Sequence, residues 1–248
     1  MKWSCLVRAE LRKLTSTRMP WAFVIVLVII SALTATAVIA GTDMDGSKGF
    51  IATAADQQSL MAFAWNAMMG AVIFGAIAVA REYGHGTVVP TFLSAPRRYR
   101  AVLAQQTAVS VVGSLLGGLG AALTVAAVAV ALPMTDYSFM LSIETTAQLI
   151  AASAFTGAVG AIMGAGIGAV VRNTGGAVTG AFLILIVGPP LVVQMANGAA
   201  SWVPGTLAGV LSGIGSEVGS LAAIAALAIW AAFPAAIGLI STMRRDVA

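Results

Sequence analysis

Residues 19–42 read MPWAFVIVLVIISALTATAVIAGT, a run without a single charged side chain. About 20 consecutive apolar residues are enough for a helix to cross the hydrocarbon core of a bilayer. Other charge-free runs of at least this length follow along the chain, at 57–80, 101–135, 145–171, 173–216 and 218–243. The sequence therefore predicts an all-α polytopic membrane protein with six transmembrane helices.

The composition supports this fold class and excludes two others. Of the 248 residues, 59% are hydrophobic and 9% are charged, against about 45–50% and 25% in an ordinary soluble domain. A soluble globule is therefore excluded. An outer-membrane β-barrel is excluded as well, because its strands alternate polar and apolar residues and contain no continuous apolar run of this length.

The charge-free runs predict a single transmembrane domain over residues 1–248. The predicted spans are about 20–41, 58–80, 102–132, 146–171, 175–195 and 219–243. A further crossing after Pro189-Pro190 would leave only 203–216, which is too short to cross the core. Residues 202–217 are therefore predicted to form a short extracytoplasmic helix before span six, either re-entrant or lying at the outer interface.

Lysine and arginine predict the orientation, because cytoplasmic loops carry an excess of both. One set of loops holds only Lys48, while the other set holds Lys2, Arg8, Arg12, Lys13, Arg18, Arg81, Arg97, Arg98, Arg100, Arg172, Arg244 and Arg245. Both termini are expected on the cytoplasmic side. The Ala/Gly/Val bias is typical of a GC-rich bacterial genome, so the expected location is the bacterial cytoplasmic membrane. The net charge of +4 follows this topology and does not indicate a nucleic-acid partner.

The predicted spans lack the residues that membrane chemistry uses. No Asp, Glu, Lys, Arg or His lies in the interior of a predicted span, which argues against a proton-driven carrier. His85 and Cys5 are the only histidine and cysteine, so neither a metal site, a disulfide nor a hydrolytic constellation can be assembled. We expect no enzyme activity, catalytic residue or cofactor on this chain.

Small and flexible side chains in the spans indicate packing and a candidate substrate path. The Gly-x-x-x-Gly spacing, which lets helices approach closely in lipid, occurs at Gly113/Gly117, Gly160/Gly164, Gly164/Gly168 and Gly176/Gly180. A chain with 27 glycines also produces such pairs by chance. On span two, Phe63, Asn66 and Met69 are candidates for lining a substrate path, with ordinary helix packing as the alternative.

The N-terminal residues 2–18 predict an amphipathic helix. On a helical projection, one face carries Trp3, Leu6, Val7, Leu11 and Leu14, and the opposite face carries Lys2, Arg8, Arg12 and Lys13. Such a helix lies in the membrane interface and contacts lipid. We expect it to act as an interfacial elbow helix before Pro20 opens span one. The alternative is a basic tail that only flanks the membrane.

The loop 81–100 is the longest cytoplasmic connection and the most charged. Its apolar centre, 88–93, is bounded by Gly84 and Gly86 on one side and Pro96 on the other, which predicts a short helix with defined ends. A helix held at the membrane surface suits docking into a groove on a soluble partner. The basic residues that follow it can alternatively bind anionic lipid headgroups.

In layout, the whole chain resembles the permease subunits of ATP-binding-cassette (ABC) exporters with the type-2 membrane-domain fold. The resemblance rests on the sequence from Glu10 to Leu14 (ELRKL), on six spans, and on two loop motifs. These motifs read Glu82-x-x-x-Gly86-Thr87 and Leu93-x-x-Pro96-Arg97-Arg98.

The resemblance implies that loop 81–100 holds a coupling helix seated on a separate ATPase subunit, which binds ATP and Mg²⁺. The residues implied in this coupling are Glu82, Gly86, Thr87, Leu93, Pro96, Arg97 and Arg98. It also implies a second permease chain, identical or related. The chain has no Gly-x-x-x-x-Gly-Lys-[Ser/Thr] phosphate loop of its own.

The expected activity is export of an apolar or amphipathic substrate, such as a drug, antibiotic, peptide or lipid. Two alternatives from other classes stay open. One is a non-transporting scaffold or sensor that recruits a cytoplasmic protein through loop 81–100. The other is a uniporter or channel without an energy source.

Overall fold

The computed structural model describes residues 3–41, 49–87, 97–196, 198–215 and 218–244. Six helical segments in it are long and apolar enough to cross a membrane, so the chain is a multi-pass membrane protein. We call them spans one to six, and their bounds are Met19–Ala40, Ala54–Gly84, Arg98–Met134, Ile143–Val171, Thr174–Met195 and Ser220–Arg244. They confirm the six spans expected from the charge-free runs, with ends that shift by a few residues.

The remaining described helices are short. An N-terminal helix, Trp3–Thr15, precedes span one, and the helices Ala199–Trp202 and Pro204–Leu211 lie between spans five and six. The last of these falls within residues 202–217, where a short helix was predicted. Its buried residues include Pro204 and Leu207, and it packs against spans two, four and six. It is therefore tucked into the end of the bundle and does not lie flat on its surface.

Two spans are interrupted. Span two consists of Ala54–Met61 and Ala64–Gly84, separated by Ala62 and Phe63, and the backbone of Ala62 is extended. Span five changes from α-helix to π-helix at Leu183–Val187 and then continues as Gly188–Met195. Prolines 189 and 190 follow the π-helical turn after Gly188. Because proline has no N–H group, it removes helical hydrogen bonds at this point.

Spans two and four form the core of the bundle. They are the most buried of the six, whereas span one is the least buried and faces outward over most of its surface. Glycines 160, 164 and 168 of span four lie directly against the backbone of span two, and Gly113 and Gly117 of span three lie against span four. Three of the predicted glycine pairs are therefore close helix contacts. The pair Gly176/Gly180 meets only side chains, those of Val171, Asn173 and Ile167.

Side-chain contacts show which helix ends lie together. Lys13 reaches Glu82 at the end of span two, and the Tyr83 hydroxyl lies 2.8 Å from the Thr242 hydroxyl at the end of span six. The guanidinium of Arg172, just after span four, lies over the Tyr83 ring. We call this the basic end of the bundle, because Arg81, Arg172 and Arg244 also belong to it.

The opposite end is held by glutamine side chains. Gln57 Nε2 donates to the Ser138 carbonyl at 2.8 Å, and Gln57 Oε1 accepts from the Met140 amide at 3.0 Å. Gln58 Nε2 donates to the Ser212 carbonyl at 2.8 Å. These bonds tie the start of span two to the loop between spans three and four and to the segment before span six.

Candidate functional site at the basic end

The N-terminal helix is fixed to the bundle by its apolar face. Leu6 is buried and the helix packs mainly along span three, whereas Trp3 is 45% exposed. The turn that follows uses its hydroxyl groups to cap the helix. Thr15 Oγ1 donates to the Leu11 carbonyl and Ser16 Oγ to the Lys13 carbonyl, at 2.9 and 3.0 Å. These bonds satisfy carbonyls that the end of a helix leaves without partners.

Lys13 joins the N-terminal helix to the end of span two. Its Nζ lies 2.7 Å from Glu10 Oε2 and 3.0 Å from Glu82 Oε1. Glu10 and Glu82 are mostly covered, with side chains 8% and 15% exposed, and Lys13 is 40% exposed. Shielding from water strengthens such pairs relative to exposed ones. The predicted elbow residue and the predicted coupling residue are therefore direct partners.

The protonation equilibria of Glu10 and Lys13 reflect this burial. Burial raises the pKa of the Glu10 carboxyl above its ordinary value, although the hydrogen bond and charge of Lys13 oppose the effect. Burial by itself lowers the pKa of the Lys13 ammonium, but the charges and hydrogen bonds of Glu82 and Glu10 outweigh it and raise the pKa. Lys13 therefore stays charged at neutral pH and keeps the two helices paired.

Span two ends in a tight turn at the start of the loop. His85 Nδ1 lies 2.9 Å from the Arg81 carbonyl, so that this ring nitrogen donates. Thr87 Oγ1 donates to the Glu82 carbonyl at 3.3 Å. Gly86 has φ +67°, in the left-handed region that favours glycine. The glycine predicted to bound the apolar centre of the loop therefore has a backbone reason to be glycine, while Thr87 caps the end of span two.

A second set of contacts links span two to spans four and six. Arg172 has φ 57°, and its guanidinium carbon lies 4.9 Å from the centre of the Tyr83 ring. Arg172 Nη2 donates to the Ser241 carbonyl at 3.4 Å, and Tyr83 and Thr242 share the hydrogen bond described above. The end of span two is therefore in direct side-chain contact with the ends of spans four and six.

A cavity of about 370 Å³ opens between the N-terminal helix and the end of span two. Its polar lining includes Lys13, Arg81, Glu82, His85 and Thr87. Its floor is apolar, formed by residues such as Leu14 and Met19. The Lys13–Glu82 ion pair, which joins the N-terminal helix to the end of span two, lies in the lining of this cavity.

The predicted coupling residues within the described part of the chain lie at the two ends of loop 81–100. Glu82, Gly86 and Thr87 come together at the end of span two, as described above. Arg97 is exposed, and its Nη1 donates to the Tyr99 hydroxyl at 3.4 Å, while Arg98 begins span three. Leu93, Pro96 and the predicted coupling helix at 88–93 lie outside the described residues.

The three residues predicted to line a substrate path on span two lie in different surroundings. Phe63 is buried against Gly120 of span three, and Met69 is half-buried against a core cluster formed by spans two, four, five and six. Asn66 is exposed and borders a cavity of only about 20 Å³ next to Gly70. The three side chains therefore serve different contacts within this chain.

Arg172, Tyr83 and Thr242 were not predicted to be partners in this site. Arg172 is the only charged residue between Glu144 and Glu217. A charge so isolated in an apolar stretch indicated a specific contact, in addition to the orientation of the neighbouring spans. Residues 83 and 242 carry no comparable signal. Among the described residues, no group of His, Cys, Asp or Glu is arranged to hold a metal ion.

Comparison with known proteins does not assign the chain to a family. The sequence matches no protein-family model and no curated protein.

Proposed function

We propose that this protein is the membrane-spanning permease subunit of an ABC exporter that moves an apolar or amphipathic substrate out of the cytoplasm. The observation that carries the proposal is the Lys13–Glu82 ion pair of 3.0 Å at the start of loop 81–100. This pair fixes the base of the loop to the N-terminal helix. In the proposal, the basic end of the bundle faces the cytoplasm and a separate ATPase subunit, with its ATP and Mg²⁺, sits on the loop.

The contacts at the end of span two provide a mechanical path for such a subunit. A displacement of the loop by the ATPase subunit would move Glu82 and Tyr83, which lie within one helical turn of the start of the loop. Glu82 passes the displacement to the N-terminal helix through Lys13, and Tyr83 passes it to span six through Thr242. Rigid-body displacement of packed helices is a common way in which transporters change access.

The spans themselves support an apolar or amphipathic cargo. They present no ionisable side chain in their interiors to select an ion. Six spans are half of the usual ABC translocation unit, so the proposal includes a second permease chain, identical or related. Substrates of this class include drugs, antibiotics, peptides and lipids.

Two substitutions at the base of the loop test the coupling role. Gly86→Pro forces φ to about −65° where the protein has +67°, and Glu82→Ala removes one partner of Lys13. We expect both variants to reach the membrane in normal amount but to lose substrate-stimulated ATP hydrolysis by the co-purified ATPase. Gly86→Asn is the matched control, because asparagine tolerates positive φ, and Glu82→Asp keeps the charge.

The experiment also separates the proposal from its rivals. If no ATPase co-purifies with the tagged protein, the chain is not an ABC permease. The function is then that of a scaffold or of a uniporter. If the ATPase is recovered but Gly86→Pro and Glu82→Ala transport normally, the loop has no coupling role.

A further inference from the structure

Arg172 carries a positive charge for which the described part of the chain provides no acid. Neither described ion pair involves it, and its partners are the Tyr83 ring and the Ser241 carbonyl. Arg172 Nε and Ser241 Oγ are also buried side-chain atoms without a hydrogen-bond partner, the two such atoms among the described residues. Buried polar groups are nearly always paired, so this pair of atoms indicates a missing ligand.

A shallow cavity of about 300 Å³ adjoins these groups at the end of span six. Ile237, Ile240, Ser241 and Arg244 line it. Arg244 lies three residues beyond Ser241 on the same helix and is exposed, so that the two arginines flank Ser241. The lining of the cavity contains one guanidinium group, that of Arg244, one hydroxyl group, that of Ser241, and no carboxylate. Arg172 does not line the cavity, but its Nη2 donates to the Ser241 carbonyl, so that a second guanidinium group lies beside it. This end of span six therefore complements an anion of phosphate chemistry.

An apolar groove of about 330 Å³ continues from this cavity between spans four, five and six. The two share Ile237, and Val171, the neighbour of Arg172, lines the groove. Farther along, the groove is bordered by Ile184, Trp230 and Phe233. Phe233 is 70% exposed, so that the groove opens toward the surrounding lipid and is not an enclosed hole.

The length of the groove corresponds to the depth of one membrane leaflet. From Ser241 to Trp230, eleven residues of helix rise about 16 Å. Half of the hydrocarbon core measures about 15 Å. A chain that begins at the headgroup level beside Ser241 therefore ends near the bilayer midplane beside Trp230.

We propose that the cleft between spans four, five and six binds one anionic phospholipid of the leaflet at the basic end. Its phosphate lies between Arg172 and Arg244 and accepts from Ser241 Oγ, and one acyl chain occupies the groove. Arg172 turns toward the phosphate, which gives Nε the partner that it lacks. The lipid then bridges the ends of spans four and six, next to the Tyr83–Thr242 contact. This binding does not depend on an ATPase partner.

Native mass spectrometry of the full-length protein, titrated in detergent with phosphatidylglycerol or phosphatidylcholine of the same acyl chains, tests the site. We expect a single tightly held phosphatidylglycerol and no matching phosphatidylcholine. Arg244→Gln and Arg172→Gln are each expected to weaken it about fivefold, as for one basic residue near an anionic surface. Arg244 is exposed, so its variant reports on binding even if Arg172→Gln folds poorly. Arg18→Gln, an exposed arginine at the same end of the bundle, is the matched control.

Gly180→Leu tests the acyl-chain part of the proposal. A Cβ at Gly180 meets only Ile167 Cγ2 at 3.5 Å, an ordinary contact, and the longer side chain fills the groove. We expect it to weaken phosphatidylglycerol binding at least fivefold. The proposal is overturned if phosphatidylcholine binds equally well, if free glycerol phosphate competes at concentrations similar to the lipid, or if Arg18→Gln matches Arg244→Gln. It is also overturned if Gly180→Leu dissociates a dimer and leaves lipid binding unchanged, because a second copy would then occupy the groove.

Discussion

Gly164 of span four offers a sharp test of how the two central spans pack. An alanine Cβ at this position would overlap the Val72 carbonyl oxygen and lie 2.8 Å from the Ala76 amide nitrogen. Both are backbone atoms of a regular helix, so they cannot rotate away as a side chain can. Spans two and four must separate to accept even one methyl group.

The expected cost follows from two opposing effects. Replacing glycine by alanine inside a helix stabilises it by about 1 kcal/mol. Overpacking a close contact costs about 1–3 kcal/mol, and the upper value applies here because the neighbouring atoms are backbone. We therefore expect Gly164→Ala to lower the free energy of unfolding by about 2 kcal/mol.

Gly70→Ala in span two is the matched control. No atom lies within 4 Å of a Cβ built at Gly70, so only the helix-propensity gain of up to about 1 kcal/mol applies. The two identical substitutions should thus shift stability in opposite directions. Reversible unfolding of the purified protein in mixed micelles, followed by circular dichroism, measures both. Equal shifts, or a stabilised Gly164→Ala variant, would refute the packing of span four on span two.

Three further predictions concern the basic end and the topology. In a double-mutant cycle, Lys13→Ala and Glu82→Ala should couple by about 0.5–1.5 kcal/mol in the unfolding free energy; additive effects would contradict the ion pair. The pKa of Lys13 is raised above 10.5 in the folded protein, so its stabilising contribution is complete below pH 10.5 and is lost as the pH rises through the folded value. Lys13→Met should remove this loss of stability at alkaline pH in unfolding titrations. If the pH profile of Lys13→Met is unchanged, the stabilising role of Lys13 is excluded. A cysteine introduced at Ser47 should react with an impermeant thiol reagent on intact cells while the exposed native Cys5 does not; similar labelling of both would contradict the predicted orientation.

The sequence by itself determined how many spans the chain has and approximately where each begins. Hydrocarbon thickness and the cost of burying charge act on a contiguous stretch of chain, so that a run such as 19–42 identifies a span without reference to its neighbours. The amphipathic pattern of residues 2–18 likewise located the N-terminal helix, which the structure places at Trp3–Thr15. The sequence also marked Gly86 as a boundary of the apolar centre of the loop, and in the structure Gly86 has the positive φ that favours glycine.

Only the tertiary structure decided which faces of the spans meet. In water, a helix shows its buried face by an apolar stripe, but in a membrane both the lipid-facing and the core-facing sides are apolar, so the stripe disappears. The Gly-x-x-x-Gly spacing therefore did not distinguish Gly164 from Gly176. Of these two glycines, only Gly164 contacts the backbone of another span. The Lys13–Glu82 pair joins residues 69 positions apart, and Tyr83 and Thr242 are 159 apart. Such pairings depend on the rotation and neighbours of each helix, which are set by close packing across the whole bundle and not by any local pattern.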